Sequence, residues 1–258
     1  MIINHLSPEY QKIIQKYNTD VALNGAYFYS EELCNNIIPY IKTDYNWITI
    51  NCGVAMDHSI VFIHNNNDPH LYDYLKDYKD LILVVSQKST KRKVKYLSDK
   101  VIYLPLSVDV EYIKKFRKNR KPYNIAFVGR RSKRFYKTVK FDEQCDYLEG
   151  MERPRLLNHM ALYKRVYAVG RCALEAKILG CEILPYDSRY PDPSIWVVLD
   201  NSEVIPMLQK ELDKLEVKNG SNADKSKRKN GRVSKGARKD MGSRRDKEII
   251  DQDNNGSL

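Results

Sequence analysis

The chain has 258 residues, enough for one large domain or two small ones at roughly 100 to 200 residues each. Its 42% hydrophobic and 10% aromatic residues can fill a core, while a mean hydropathy of −0.59 and no apolar run near the ~20 residues of a bilayer span exclude a transmembrane segment. Of the formal charge of +11, +6 falls in 217–258, where 12 Lys and Arg face 6 Asp and Glu, so the rest of the chain is only mildly basic.

Met1-Ile2-Ile3-Asn4-His5 carries no basic region ahead of a long apolar stretch, so no signal peptide is expected and the protein is placed in the cytoplasm. Cys34, Cys52, Cys145, Cys172 and Cys181 are odd in number, scattered and never in C-x-x-C spacing. That is the usage of reduced thiols, not of a disulfide frame or a zinc site. The abundance of Lys, Asn, Ile and Tyr suits an AT-rich bacterial or phage gene.

Residues 1–216 alternate short β-rich runs with helical segments, the pattern of a parallel sheet covered by helices. Ser7-Pro8 opens a helix to about Tyr17, with serine as N-cap and proline in the first helical position. Residues 20–24 read as a strand and Ser30 as the cap of the next helix. Strands are predicted at 47–51, 60–64, 81–85 and 101–104, with helices at 68–78 and 89–97 between the later ones. A helix over 108–118 and the basic, proline-bearing stretch 117–122 close a first half, 1–118. The second half, 119–216, begins with strand 123–128 and continues with helices near 154–163 and 171–179, strand 182–184 and an amphipathic helix from Ser202 to about Leu215. Residues 217–258 have almost no apolar side chains and no period, and are expected to be a disordered basic tail. Such a tail is either an arm that weakly contacts nucleic acid or another polyanion or a solvated extension.

Open α/β sheets bind ligands outside the carboxyl ends of their strands. The residues following the predicted strands there include His64-Asn65-Asn66, Ser86-Gln87, Gly129-Arg130-Arg131 and Gly170-Arg171, richer in amides and cations than structural turns require. Gly170 opens a helix whose N–H groups and dipole favour an anion. Arg171 adds charge, and Glu175, one turn inside, has the position to accept hydrogen bonds from a ribose diol; an ordinary capped helix with a solvated Glu175 has the same pattern. The strand ending at Gly129 is followed by Arg130, Arg131, Lys133 and Arg134, cations suited to a diphosphate or to a solvated loop.

Together these stretches resemble the group 1 (family 4-like) glycosyltransferases of the GT-B fold. Leu104-Pro105-Leu106-Ser107-Val108-Asp109 is similar to the family's "P-x-G-V-D" crossover, with Ser107 in place of glycine. Phe127-Val128-Gly129-Arg130 is similar to its "Y-V-G-R" opening, and Leu174-Glu175-Ala176-Lys177-Ile178-Leu179-Gly180-Cys181 to its "L-E-A-M-A-x-G-x-P-V" helix and strand. The resemblance implies a trimmed GT-B-like α/β fold with two Rossmann-like parallel-sheet halves, an acceptor-side half (1–118) and a nucleotide-sugar-binding half (119–216). It implies that Glu175 contacts the donor's ribose, that Gly170 and Arg171 lie by the diphosphate, and that Arg130 with Lys133 or Arg134 neutralises it. Tyr167 stands where the family has an acidic residue for the donor sugar, and only about 45 residues separate Gly129 from Glu175, fewer than the family has.

His64 ends an apolar strand at the crevice edge, where an imidazole could position or deprotonate an acceptor hydroxyl; a structural role is equally compatible. His5, His70 and His159 form no metal spacing, and there is no G-x-S-x-G, Walker A or G-x-G-x-x-G motif. The expected function is metal-independent and cofactor-free transfer of a sugar from a nucleotide diphosphate sugar, with a UDP-sugar favoured, to a saccharide or protein acceptor. The alternatives are a nucleotide-sugar binder without turnover and a nucleic-acid-associated protein acting through its tail.

Overall fold

Uninterrupted apolar runs such as Ile60-Val61-Phe62-Ile63 have no face to give to water, so they form strands covered on both sides, as parallel strands are. In the computed structural model, which describes residues 1–17, 25–64, 68–129, 144–187 and 190–230, β1 (Ile2–Ile3), β2 (Asn46–Ile48), β3 (Ser59–Ile63), β4 (Leu81–Val85) and β5 (Lys100–Tyr103) form a parallel sheet in that spatial order. The crossovers that parallel pairing demands contain α1 (Pro8–Tyr17), α2 (Gly25–Asn36), a 3-10 helix (Pro69–Asp77) and α3 (Lys88–Lys93). Strand side chains alternate between the two faces. Ile60, Phe62, Ile82 and Val84 pack with Tyr29 and Leu33 of α2; Val61, Ile63, Leu83 and Val85 pack with Tyr10 of α1 and with Tyr72 and Leu75 of the 3-10 helix.

After α4 (Val110–Lys114), a second parallel sheet is built from β6 (Tyr123–Val128), β7 (Asp146–Leu148), β8 (Tyr163–Tyr167) and β9 (Glu182–Leu184), in the order β7-β6-β8-β9. The chain goes to one side of β6 for β7 and to the other for β8, so the winding reverses at β6. Its core joins Ala126, Val128 and Val166 to Leu157 and Met160 of α5 (Arg153–Met160) and to Ala173 and Leu174 of α6 (Arg171–Ile178). α7 (Asn201–Asn230) closes the described chain. Met1–Leu215 form one compact unit and Glu216–Leu258 a second.

Four departures from the sequence reading have physical reasons. Ser30 caps nothing: it lies inside α2, fully buried, where its Oγ is 2.6 Å from Thr49 Oγ1. β1, β7 and β8 were not foreseen, because two are only two and three residues long and β8 carries Lys164 and Arg165 in its middle. The closing helix follows the second half in sequence, but its stripe Val204, Leu208 and Leu212 packs on the first sheet, as apolar residues four apart on one helix face can. Its backbone continues to Asn230, past the expected start of the tail at 217, because a helix anchored at one end adds residues at little cost. The predicted strand at 20–24 and residues 231–258 lie outside the described residues. Among the described residues no helix is long and apolar enough to cross a membrane.

Candidate functional site

The winding reverses at β6, whose carboxyl end lies between those of β7 and β8; open parallel sheets bind ligands beyond the strand ends at such a point. All three ends carry a glycine with positive φ: Gly129, Gly150 and Gly170. At Gly170 the torsions are φ 62 and ψ −135, a region essentially confined to glycine, yet an added Cβ would meet nothing within 4 Å. Glycine is therefore required by the backbone turn, not by crowding. Gly170 caps α6 with no side-chain hydrogen bond, and its carbonyl accepts from Ala173 N (3.0 Å) and Leu174 N (3.3 Å).

One turn into α6 the expected donor residues meet a partner from the first sheet's side. The Arg171 guanidinium donates through Nε to Glu175 Oε1 (2.9 Å), through Nη1 to the Phe28 carbonyl (3.3 Å) and through Nη2 to Glu32 Oε2. Arg153, the first residue of α5, donates through Nη1 to the same Glu32 oxygen (2.7 Å), and its Nε lies 3.4 Å from Glu175 Oε1. The other Glu32 oxygen accepts from Asp109 N (2.8 Å) and Asn201 Nδ2, and Asn201 Oδ1 accepts from Ser107 Oγ (2.8 Å). The Glu32 side chain is completely buried. Burial opposes its ionisation, but the charges of Arg171 and Arg153 and the hydrogen bonds from Arg171 and Asn201 outweigh that and hold its carboxyl below the usual range. Desolvation likewise acts against the Arg171 cation and is overcome by Glu175 and Glu32, so its pKa is raised.

Arg171 and Glu175 are thus brought together as expected, but buried and engaged with each other. The contacts of Glu175 among the described residues all fall on Oε1, leaving Oε2 uncommitted there, and the buried Nε and Nη2 of Arg153 have no hydrogen-bond partner among the described residues. Gly129 closes the neighbouring strand end, its N–H donating to the Leu148 carbonyl (3.2 Å). Arg130, Lys133 and Arg134 lie outside the described residues. Tyr167 meets Tyr186 edge to face (6.4 Å between ring centroids), and Tyr186 meets Phe127 similarly at 5.0 Å.

His64 follows β3 at the carboxyl edge of the first sheet, next to Ser86 in register, since Ile63 pairs with Val85. Its Nε2–H donates to the Thr49 carbonyl (2.5 Å), which fixes the tautomer and leaves the lone pair on Nδ1. Burial lowers its pKa more than the Thr49 bond raises it, so the ring is neutral near pH 7. A direct link between the two carboxyl edges runs from Gln87 Nε2, after β4, to the Tyr190 hydroxyl (2.7 Å), after β9.

Sequence reasoning missed Glu32, Arg153 and Asn201. The available signal was positional: Glu32 stands four residues after Phe28 and beside Leu33, on the buried stripe of α2, whereas Glu31 is not buried. Among the described residues no group of His, Cys, Asp or Glu side chains is placed to hold a metal ion. Compared with models of protein families, with curated proteins and with solved structures, the chain matches none.

Proposed function

We propose that the protein is a glycosyltransferase that moves a sugar from a nucleotide diphosphate sugar, a UDP-sugar in the favoured case, to an acceptor held by the first sheet. The observation that carries this reading is the switch point at β6, with Gly129, Gly150 and Gly170 at its strand ends and a Glu175 oxygen, one turn into α6, that has no partner among the described residues. Glycines at such ends let a diphosphate approach the backbone, and the α6 terminus favours its charge. Glu175 Oε2 is the acceptor for a ribose hydroxyl. Because Arg171 is already balanced by Glu32 and Glu175, the charge developing on the leaving diphosphate falls to the basic run at Arg130, Lys133 and Arg134. Neutral His64, with its lone pair on Nδ1, is the group to take a proton from the acceptor hydroxyl.

Binding without turnover is the second reading, favoured by Tyr167 in the sugar position and by the engagement of Arg171. Thermal unfolding with UDP, GDP, ADP and their sugars tests the site: a ligand at ~100 times its Kd stabilises by about 2.7 kcal/mol, and Arg130→Ala should remove most of that shift. No shift with any of these compounds would refute nucleotide binding. A shift without consumption of the sugar nucleotide selects the second reading.

A further inference from the structure

Ser107, the departure from the family's crossover glycine, and Glu32, which no motif contains, belong to one arrangement. The chain passes between the sheets twice, before α4 and before α7, and the two passages run side by side: Val108 pairs with Asp200 in a parallel bridge, and Val108 N donates to the Leu199 carbonyl (3.1 Å). Ser107 ties the first passage to the second through Asn201. Glu32 then reads both passages with one oxygen, through Asp109 N and Asn201 Nδ2, and both helix-start arginines of the second sheet with the other.

We propose that Glu32, carried by the first sheet's α2, is a positioning residue for the second sheet's ligand edge: it holds Arg171 and Arg153, and through them sets the Glu175 carboxylate, so that this edge is fully formed only while the two sheets are joined. Two donors meet each carboxylate oxygen, Arg171 and Arg153 at Oε2 and Asp109 N and Asn201 at Oε1, and all four lie on the second sheet's helices or on the passages between the sheets; Asn36 of α2 adds a longer bond to Oε1 (3.4 Å). Arg171 Nε donates to Glu175 Oε1 and Arg153 Nε lies 3.4 Å from the same oxygen, so both cations hold the carboxylate by Oε1 and leave Oε2 uncommitted among the described residues. A guanidinium held by two carboxylates in a planar fork has little rotational freedom, so loss of one carboxylate frees the other.

The experiment is NMR of the arginine Nε–H groups together with backbone hydrogen exchange, on the full chain and on Glu32→Gln, which removes the charge at nearly constant volume. In the wild type the Arg171 Nε–H is slow to exchange. In E32Q it broadens or is lost, and the α6 amides exchange about tenfold faster relative to those of β3 and β4, a ratio that a uniform loss of stability does not change. An unchanged Arg171 Nε–H signal, or faster exchange confined to α2, overturns the proposal. Should E32Q fail to fold, Ser107→Ala frees only Asn201: the Arg171 signal shifts and α6 exchange rises roughly two- to fivefold, and an unaltered spectrum overturns the proposal instead. Titration with UDP adds an arm that rests on the reading above: affinity falls about tenfold in E32Q. If the wild type binds no UDP, the UDP case of that reading fails while the exchange data still decide the role of Glu32; if both proteins bind UDP equally, the positioning role fails.

Discussion

Two clusters of charged side chains stabilise this fold, and they differ chiefly in how much water reaches them. Around Glu32, two glutamates and two arginines lie between the sheets with side-chain exposures of 0–11%. Around Asp80, His58 and Lys100 gather at the amino edge of the first sheet, where the Asp80 side chain is 39% exposed. Parallel register assembles the second cluster: Asn46, Ser59 and Leu81 are paired neighbours, so the residues before them, Tyr45, His58 and Asp80, line up. Asp80 accepts from His58 Nδ1 (2.6 Å), Lys100 Nζ (2.5 Å) and the Tyr45 hydroxyl (3.0 Å), and Tyr45 stacks on His58 at 3.7 Å. The number of bonds does not set their worth. In the wet cluster solvent replaces whatever is lost; in the dry one nothing does.

The largest effect should come from breaking the dry cluster. Glu32→Ala leaves two buried guanidinium groups with Glu175 alone, and the expected loss is about 3 to 5 kcal/mol, read as a shift of the urea midpoint. A loss below about 1 kcal/mol would mean that water enters between the sheets and that the two clusters are alike. The lowered Glu32 pKa gives this cluster an acid limit: its contribution is complete above the ordinary 4.5 and is lost as pH falls below that.

The backbone beneath the clusters sharpens the contrast. Both rest on positive φ, but Gly170 has ψ −135, whereas His58 and Asp80 have φ 56 and 54, in the left-handed region that polar residues enter at modest cost. Gly170→Ala should therefore cost about 1 to 3 kcal/mol from strain alone, because the added methyl group finds open space. For a domain of this size that is roughly 2 to 4 °C in Tm per kcal/mol. An unchanged Tm would show that the α6 turn relaxes without a glycine.

How much of this was legible follows the same division between dry and wet. β3, β4, β6 and β9 stand out in the sequence because their apolar runs have few interruptions, and α6 because glycines bracket it. β8 did not, since Lys164 and Arg165 break its apolar run although Tyr163 and Val166 are buried. Gly170, Arg171 and Glu175 were legible as a group through their spacing. Their burial was not, because it depends on Glu32, 139 residues away from Arg171 in the chain, and a glutamate beside an exposed-looking neighbour gives no local sign of its depth. The packing of α7 on the first sheet was hidden for the same reason: an apolar stripe tells that a helix is covered, not by which sheet.

The smallest effect, and the most specific, belongs to the wet cluster. Asp80 is held at about 2: burial works against its ionisation, but hydrogen bonds from Lys100, His58 and Tyr45 more than offset it. His58 is raised above 6.5, first by its bond to Asp80 against a smaller desolvation and then by Asp44, whose Oδ1 lies 3.2 Å from Nε2. A raised histidine contributes stability that is complete below 6.5 and is lost as pH climbs through its folded value. Asp80→Asn keeps a residue that tolerates positive φ and an oxygen for Lys100 and Tyr45, while removing the charge. The expected cost below 6.5 is under about 1 kcal/mol and shrinks with added salt, and the His58 titration followed by NMR moves down toward 6.5. Above the folded pKa of His58 the variant and the parent should converge on the histidine's contribution, since a neutral ring gains little from either side chain. If the variant instead lost several kcal/mol at every pH, the amino-edge cluster would be as dry as the one around Glu32, and exposure would not be what separates them.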